Sequence, residues 1–257
     1  VSLDISYSLL EGGQNGVDIN NNGNLNWGNG MIQSDPYFCN GPGGTYSLRE
    51  NSPCVGAADD GGTIGRFNVG CGPINTGPVW YVGELGDDLS DGSIETPYLT
   101  IQRAVEACAN GDTIRLMPGV YIEQVDFNSK LIVLESRTYE LSDYSITSET
   151  VITSPEIGGS CMELIGQDAS NIEIRGITFS GGQSQIGGGL YIENSSPILS
   201  GIIVENNTAE VGGGIYLNDS EVQFNDVIIK NNGANFGGGI YSTGSNPNLI
   251  SSSIDSN

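Results

Sequence analysis

Between residues 187 and 257 the sequence repeats itself every 25 residues. GGGLY at 187–191 returns as GGGIY at 212–216 and again at 237–241. IIVENN at 202–207, VIIKNN at 227–232 and SSIDSN at 252–257 keep the same step. A third short segment lies between them: PILSG from 197, VQFND from 222 and NLISS from 248. A fixed period of this length marks a unit that cannot bury its apolar face alone and must stack on its neighbours. Each period holds three strand-like segments joined by Gly, Asn, Asp and Ser, the residues of tight turns. That is the chain one coil needs if each strand pairs with its equivalent one coil later, ~4.8 Å along the axis. The expected fold is all-β: a parallel β-helix, or solenoid, with three short strands per ~25-residue coil.

In such a coil, residues 25 apart form columns. Leu190, Ile215 and Ile240 make one inward column, Ile192 and Leu217 the next, and Val204, Ile229 and Ile254 another. The residues between them face outward and also stack. Tyr191, Tyr216 and Tyr241 form a surface ladder, a surface for sugar rings or a partner, although stacked tyrosines commonly serve only to stabilise their sheet. Glu205, Lys230 and Asp255 form a column of alternating charge, and Asn207, Asn232 and Asn257 an amide ladder at a turn.

Charge narrows the partners. There are 31 acidic residues against 8 basic ones and no His, for a formal net charge of −23. Such a surface repels nucleic acid and anionic lipid. No apolar run reaches the ~20 residues of a membrane helix. Without His, no Ser–His or Cys–His nucleophile pair exists. Scarce Lys with abundant Asn, Gly and Ser suits a secreted protein at the cell surface, where disulfides persist. The chain starts at Val1 and carries no signal peptide, so it is expected to be processed or a section of something longer.

Upstream of the repeats the pattern changes. Ile101, Ala104, Val105 and Cys108 fall at i, i+3, i+4 and i+7, which predicts a cap helix at about 100–110, started by Pro97 and Thr100 and stopped at Gly111. Residues 79–257 therefore read as the N-terminal cap and first coils of a β-helix, with the helix covering the open end of the core. The stretch WYVGELGDDLSDGSIETPYLTIQRAVEACANGDTIRLMPGVYIE resembles the opening of secreted right-handed β-helix repeat proteins. It has a looser likeness to pectin-methylesterase-type enzymes. The GGGIY coils are similar to repeats of polymorphic outer-membrane and adhesin-like proteins of bacteria. The resemblance implies a right-handed coil and a surface role.

Residues 1–73 resemble the opposite end of the same class, its C-terminal closing segment, and 74–78 are a linker. The order is thus closing segment, linker, opening segment. Eight residues, 72–79, reach at most ~28 Å, barely the length of about six coils at ~4.8 Å, so closure of the chain's own solenoid is disfavoured. The expectation is a homo-oligomer that grows head to tail into a filament, residues 1–73 completing the neighbouring solenoid; a section of a tandem array makes the same contacts covalently. The alternative is a polysaccharide-active lyase, esterase or hydrolase, or a carbohydrate-binding module.

No catalytic set stands out. GVYIE is present, but no QAVAL-like or DFIFG-like segment follows it. Arg175 reads as an exposed strand residue and Lys230 as part of a charge ladder. Glu205 with Asp226 is a pairing expected by chance among so many acids. Asp18, Asn20, Asn22 and Asn24 match the start of a calcium loop, with Gly23 at its turn, but Asn29 stands where a bidentate Glu belongs. Asp87, Asp88 and Asp91 form a second acidic loop. Cys54 and Cys71 are the expected disulfide of the loop-rich segment, with Cys39 able to replace either. Cys108 reads as a buried thiol. Asn194, Asn206 and Asn218 satisfy N-x-[ST].

Overall fold

The apolar columns read from the repeat stack in register. The computed structural model describes residues 2–10, 13–17, 23–39, 46–65, 69–71, 74–140, 149–155, 158–166 and 172–257. It divides into two compact units, Val1–Asn75 and Thr76–Asn257. Among the described residues no helix is long and apolar enough to cross a membrane.

The first unit is built of short parallel pairs. β1 (Ser2–Ile5) pairs with β2 (Asn24–Trp27), Ser2 opposite Asn24 and Ile5 opposite Trp27, and Leu9 bridges Ile32 further on. β3 (Leu48–Arg49) pairs with β4 (Val69–Cys71). The step from Ser2 to Asn24 is close to one coil.

The second unit is the solenoid, and its strands enter in chain order. They are β5 (Val79–Val82), β6 (Thr113–Leu116), β7 (Gly119–Ile122), β8 (Val133–Ser136), β9 (Thr150–Thr153), β10 (Met162–Ile165), β11 (Glu173–Arg175), β12 (Thr178–Ser180) and β13 (Leu190–Glu193). The regular coils add β14 (Ile198–Ser200), β15 (Ile203–Glu205), β16 (Thr208–Val211), β17 (Ile215–Asn218), β18 (Gln223–Asn225), β19 (Ile228–Lys230), β20 (Gly233–Phe236), β21 (Ile240–Thr243), β22 (Asn248–Ile250) and β23 (Ser253–Asp255). Among the described residues three long parallel sheets build the stack, the third starting only at β10. The first is β5-β6-β8-β11-β14-β18-β22, the second β7-β9-β12-β15-β19-β23, the third β10-β13-β17-β21.

Each sheet contributes at least one inward column, and the third adds a second through Leu164, Ile192 and Leu217. Ile114, Leu134, Ile174, Leu199 and Phe224 align on the first; Tyr121, Ile152, Phe179, Val204 and Ile229 on the second; Met162, Leu190 and Ile215 on the third. All are buried. Fully burying one such side chain contributes roughly 1.5–3 kcal/mol, so the columns dominate the stability of the stack.

The coil has one more strand than expected. Residues 208–211 and 233–236, expected as connection, form a fourth short strand, with Thr208 opposite Gly233 and Val211 opposite Phe236. Ala, Gly and Asn are weak strand formers, so stacking rather than propensity makes this pair.

The triple glycines close each coil. Gly187, Gly212 and Gly237 have φ of 64°, 66° and 65°, a region that disfavours side chains. The next glycines are required by proximity: a Cβ on Gly213 would lie 2.4 Å from the Gly233 carbonyl oxygen, and one on Gly214 2.5 Å from that of Gly239.

Buried amides lock the preceding turn. The Asn207 side-chain NH2 donates to Asn232 Oδ1 at 3.0 Å and to the Phe179 carbonyl at 3.0 Å. Asn232 repeats the pair on Asn257 Oδ1 at 2.8 Å and the Val204 carbonyl at 2.9 Å. The backbone N–H of Asn207 also donates to Asn232 Oδ1, at 3.1 Å. Asn207 and Asn232 are buried, so this ladder belongs to the core rather than to a surface turn. A serine ladder mirrors it: Ser195 N–H donates to Ser220 Oγ, and Ser220 N–H to Ser245 Oγ.

The upstream end is capped as its sequence predicts. α1 (Ile101–Ala107) buries Ile101, Ala104 and Val105, with Thr100 as N-cap accepting the Arg103 N–H. Glu123 accepts the N–H groups of Ile101 and Gln102, at 2.8 and 3.0 Å. At the other end Lys130 Nζ donates to the carbonyls of Val105, Glu106 and Cys108. A four-residue helical turn, α2 (Arg137–Glu140), follows β8.

Candidate functional site

The tyrosine ladder stands on the outer face of the third sheet. Tyr191, Tyr216 and Tyr241 occupy equivalent positions of β13, β17 and β21. Their ring centroids are 5.4 and 5.6 Å apart, and the second pair is nearly parallel at 4°. The rings therefore stack chiefly on one another. The upstream end of the ladder opens on a cleft of about 410 Å³, lined by Gly158, Glu163, Ser184, Gln185, Ile186 and Tyr191. There the Tyr191 hydroxyl donates to Glu193, and that bond pushes its pKa up to about 12. The hydroxyl stays protonated over the physiological range, a fixed donor rather than a base.

Charged outward columns also pair along the stack. Lys230 Nζ lies 3.1 Å from Glu205 of the previous coil. On the first sheet, Arg115, Glu135 and Arg175 align across β6, β8 and β11. Glu135 is buried between the two guanidinium groups, 2.8 Å from Arg115 Nε and 3.4 Å from Arg175 Nη1. Arg175 also contacts Glu173 and lies over the Tyr139 ring. The expectation of a plain exposed residue at Arg175 is corrected: its side chain is half-buried in this network. Sequence spacing hid the cluster, because 115, 135 and 175 are separated by 20 and 40 residues, not by 25.

Other expected sites have definite places. Asn24 begins β2, whereas Asp18, Asn20 and Asn22 lie outside the described residues. The carboxylates of the Asp87–Asp91 loop are taken up by nearby backbone and hydroxyl donors. Asp87 accepts Leu89 N–H, Asp88 accepts the N–H groups of Leu99 and Thr100, and Asp91 accepts from Ser93 N–H and the Thr96 hydroxyl. Among the described residues no group of three or more His, Cys, Asp or Glu is placed to hold a metal ion.

The expected pairing of Cys54 with Cys71 is also corrected. Cys39 is disulfide-bonded, and Cys54 is a free buried thiol. Cys54 faces an apolar cleft of about 360 Å³ with Leu9, Phe38, Leu48 and Ile64, and burial raises its pKa. Packing among these side chains is what occupies Cys54. Of the alternatives left by the sequence, the bridge through Cys39 is the one formed. Cys108 and Cys161 are free and buried, raised to about 12 and about 11 chiefly by desolvation. None of the three has thiolate character at neutral pH. Of the N-x-[ST] asparagines, Asn194 and Asn206 are exposed at left-handed turn positions, while Asn218 ends β17 half-buried.

The chain matches the family model described as the right handed beta helix region over residues 119–257. No curated protein and no solved structure matches it.

Proposed function

This chain belongs to the right handed beta helix family, and from that premise we propose that it is an extracellular, non-enzymatic building element that assembles head to tail. In this reading the 1–73 segment completes the solenoid of a neighbouring copy or section, and the product is a fibre at the cell surface. One observation carries the reading. Val1–Asn75 is a compact unit of parallel pairs at nearly a coil's step, yet among the described residues each of its sheets has two strands. Two strands alone are marginal in water, and stacking on further coils is the remedy. The outward ladders agree with it, since Glu205–Lys230 and Arg115–Glu135–Arg175 direct their charges at one another.

The test is light scattering and negative-stain microscopy of the full chain over a wide concentration range. Polymers one solenoid wide that lengthen with concentration are expected; a folded monomer at the highest concentration overturns the proposal. Repeating the series with calcium and with chelator asks whether calcium at Asp18, Asn20, Asn22 and Asn24 joins the copies.

A second reading, glycan binding, has one observation of its own. The cleft at the end of the tyrosine ladder combines an aromatic ring, a carboxylate at Glu163 and an amide at Gln185, groups suited to a sugar ring. Glycan-array binding that Tyr191→Ala removes is the expected result under this reading, and a blank array rejects it.

A further inference from the structure

Among the described residues seven strands form the first sheet of the solenoid and six the second, and the deficit is at the capped end. The opening coil supplies β5 to the first sheet but gives the second no strand above β7, which pairs only with β9. In that place lies a cleft of about 290 Å³ between Leu99–Thr100 and β7, lined also by Glu84, Tyr121 and Glu123. β7 presents Val120 and Ile122 outward, 49 % and 65 % exposed.

Beside the cleft, Leu85 and Leu89 are 101 % and 94 % exposed. Their loop is not loose. Gly86 N–H donates to the Gly83 carbonyl, Asp87 N–H to Pro97 and Ser90 N–H to Asp87, with Leu89 N–H on the Asp87 carboxylate. Glu84 ties the loop to the edge by accepting Val120 N–H at 2.7 Å, and Asp88 ties it to the cap through Leu99 N–H. Leu99, Val120 and Ile122 line the cleft while exposed, and Leu85 and Leu89 are exposed on the adjoining pinned loop, apolar surface that core packing does not account for.

Glu84 and Glu123 line the cleft, and Asp87 and Asp88 belong to the adjoining loop. Among the described residues none of the four is ion-paired; the nearby Arg103 pairs with Glu106 and lies over Tyr98. These carboxylates favour a cationic partner segment over an acidic one.

We propose that this cleft is a docking site for an extended segment of a partner protein, with alternating aliphatic residues flanked by Lys or Arg, which adds to the second sheet as its missing strand. Backbone pairing along β7 supplies the register, and Leu85, Leu89, Leu99, Val120 and Ile122 receive the aliphatic side chains. The Glu84 carboxylate, which now occupies an edge donor as a strand carbonyl would, is released to pair with an incoming cation.

Fluorescence anisotropy of the full chain with labelled eight-residue peptides tests this. An alternating Lys/Val peptide is expected to bind at least ten-fold more tightly than an alternating Lys/Gly or Glu/Val peptide, and to weaken as salt is raised. Leu89→Ser with Ile122→Ser, both at exposed positions, is expected to weaken binding ten-fold or more with an unchanged thermal melt. Glu84→Gln is expected to flatten the salt dependence. Equal binding of the Lys/Gly peptide, or binding untouched by the double variant, reduces the effect to general attraction by an acidic protein and overturns the site. Self-association of the full chain that the double variant abolishes assigns the surface to a second copy and overturns it equally.

Discussion

The regular coils from 187 onward and the capped coils from 79 to 140 solve the same problem by opposite means. Both must close turns, satisfy buried backbone groups and hold one coil on the next. In the regular coils every solution is repeated. Asn207 is supported by Asn232 and Asn232 by Asn257, and Gly213 packs under Gly238 as Gly188 does under Gly213. In the capped coils each solution is used once. Glu123 holds the start of α1, Lys130 its end, Asp88 the two residues before it, and Asp112 the Trp80 indole N–H at 2.9 Å. Repetition makes the interior of the stack cooperative, since each group depends on its copy one coil away. The cap depends on isolated polar contacts, each replaceable at moderate cost.

Substitutions sharpen that contrast. Asn232→Leu leaves the Asn207 backbone N–H, one hydrogen of the Asn207 side-chain NH2 and the Val204 carbonyl without their Asn232 partners, and is expected to cost about 4 kcal/mol in urea unfolding, as for several buried polar groups left unmade. Gly213→Ala forces a Cβ against the Gly233 carbonyl and is expected to cost about 3 kcal/mol by the same measurement. Lys130→Met removes three bonds to carbonyls at the end of α1 and is expected to cost about 2 kcal/mol. Hydrogen exchange in the Lys130→Met variant should rise in 101–107 and leave 215–230 protected. Equal loss of protection across both regions breaks the comparison.

The smallest effect concerns pH. Burial raises the Glu123 pKa above its ordinary value of 4.5, against the lowering effect of its bonds to Ile101 and Gln102 N–H. The folded state therefore holds this proton more tightly than the unfolded one. The stability this contributes is full below the ordinary value and is lost as pH rises through the raised folded value. Glu123→Gln removes that dependence, so wild type should lose stability relative to the variant as pH rises through this window. A constant difference from pH 4 to pH 7 in paired urea titrations rejects the assignment.

The same contrast explains what was legible beforehand. Where a column repeats at a fixed step, periodicity alone placed Leu190, Ile215, Tyr216 and Asn232 in register. α1 was legible for a different reason: Ile101, Ala104 and Val105 share one face at helical spacing, and Thr100 is a natural cap. Coils of unequal length defeat that logic, so the alignment of Arg115, Glu135 and Arg175 had no signal in spacing. The strand at 208–211 was hidden by weak strand formers held in place only by stacking. The pairing of Cys54 failed because composition cannot tell a thiol facing Leu48 and Ile64 from one facing another sulfur. The missing strand above β7 could not be read at all, since it is a difference between two sheets rather than a pattern in one segment.

The amide ladder also governs how such a chain can change length. Each Asn sits 25 residues from the group it supports, and its side chain reaches a carbonyl 28 residues back. Duplicating 25 residues inserts a rung whose donors and acceptors are already matched above and below. Adding or removing 24 or 26 places a different side chain at that buried corner and strands the amides on either side. The interior therefore acts as a ruler, and growth or shortening of the repeat region is restricted to whole coils.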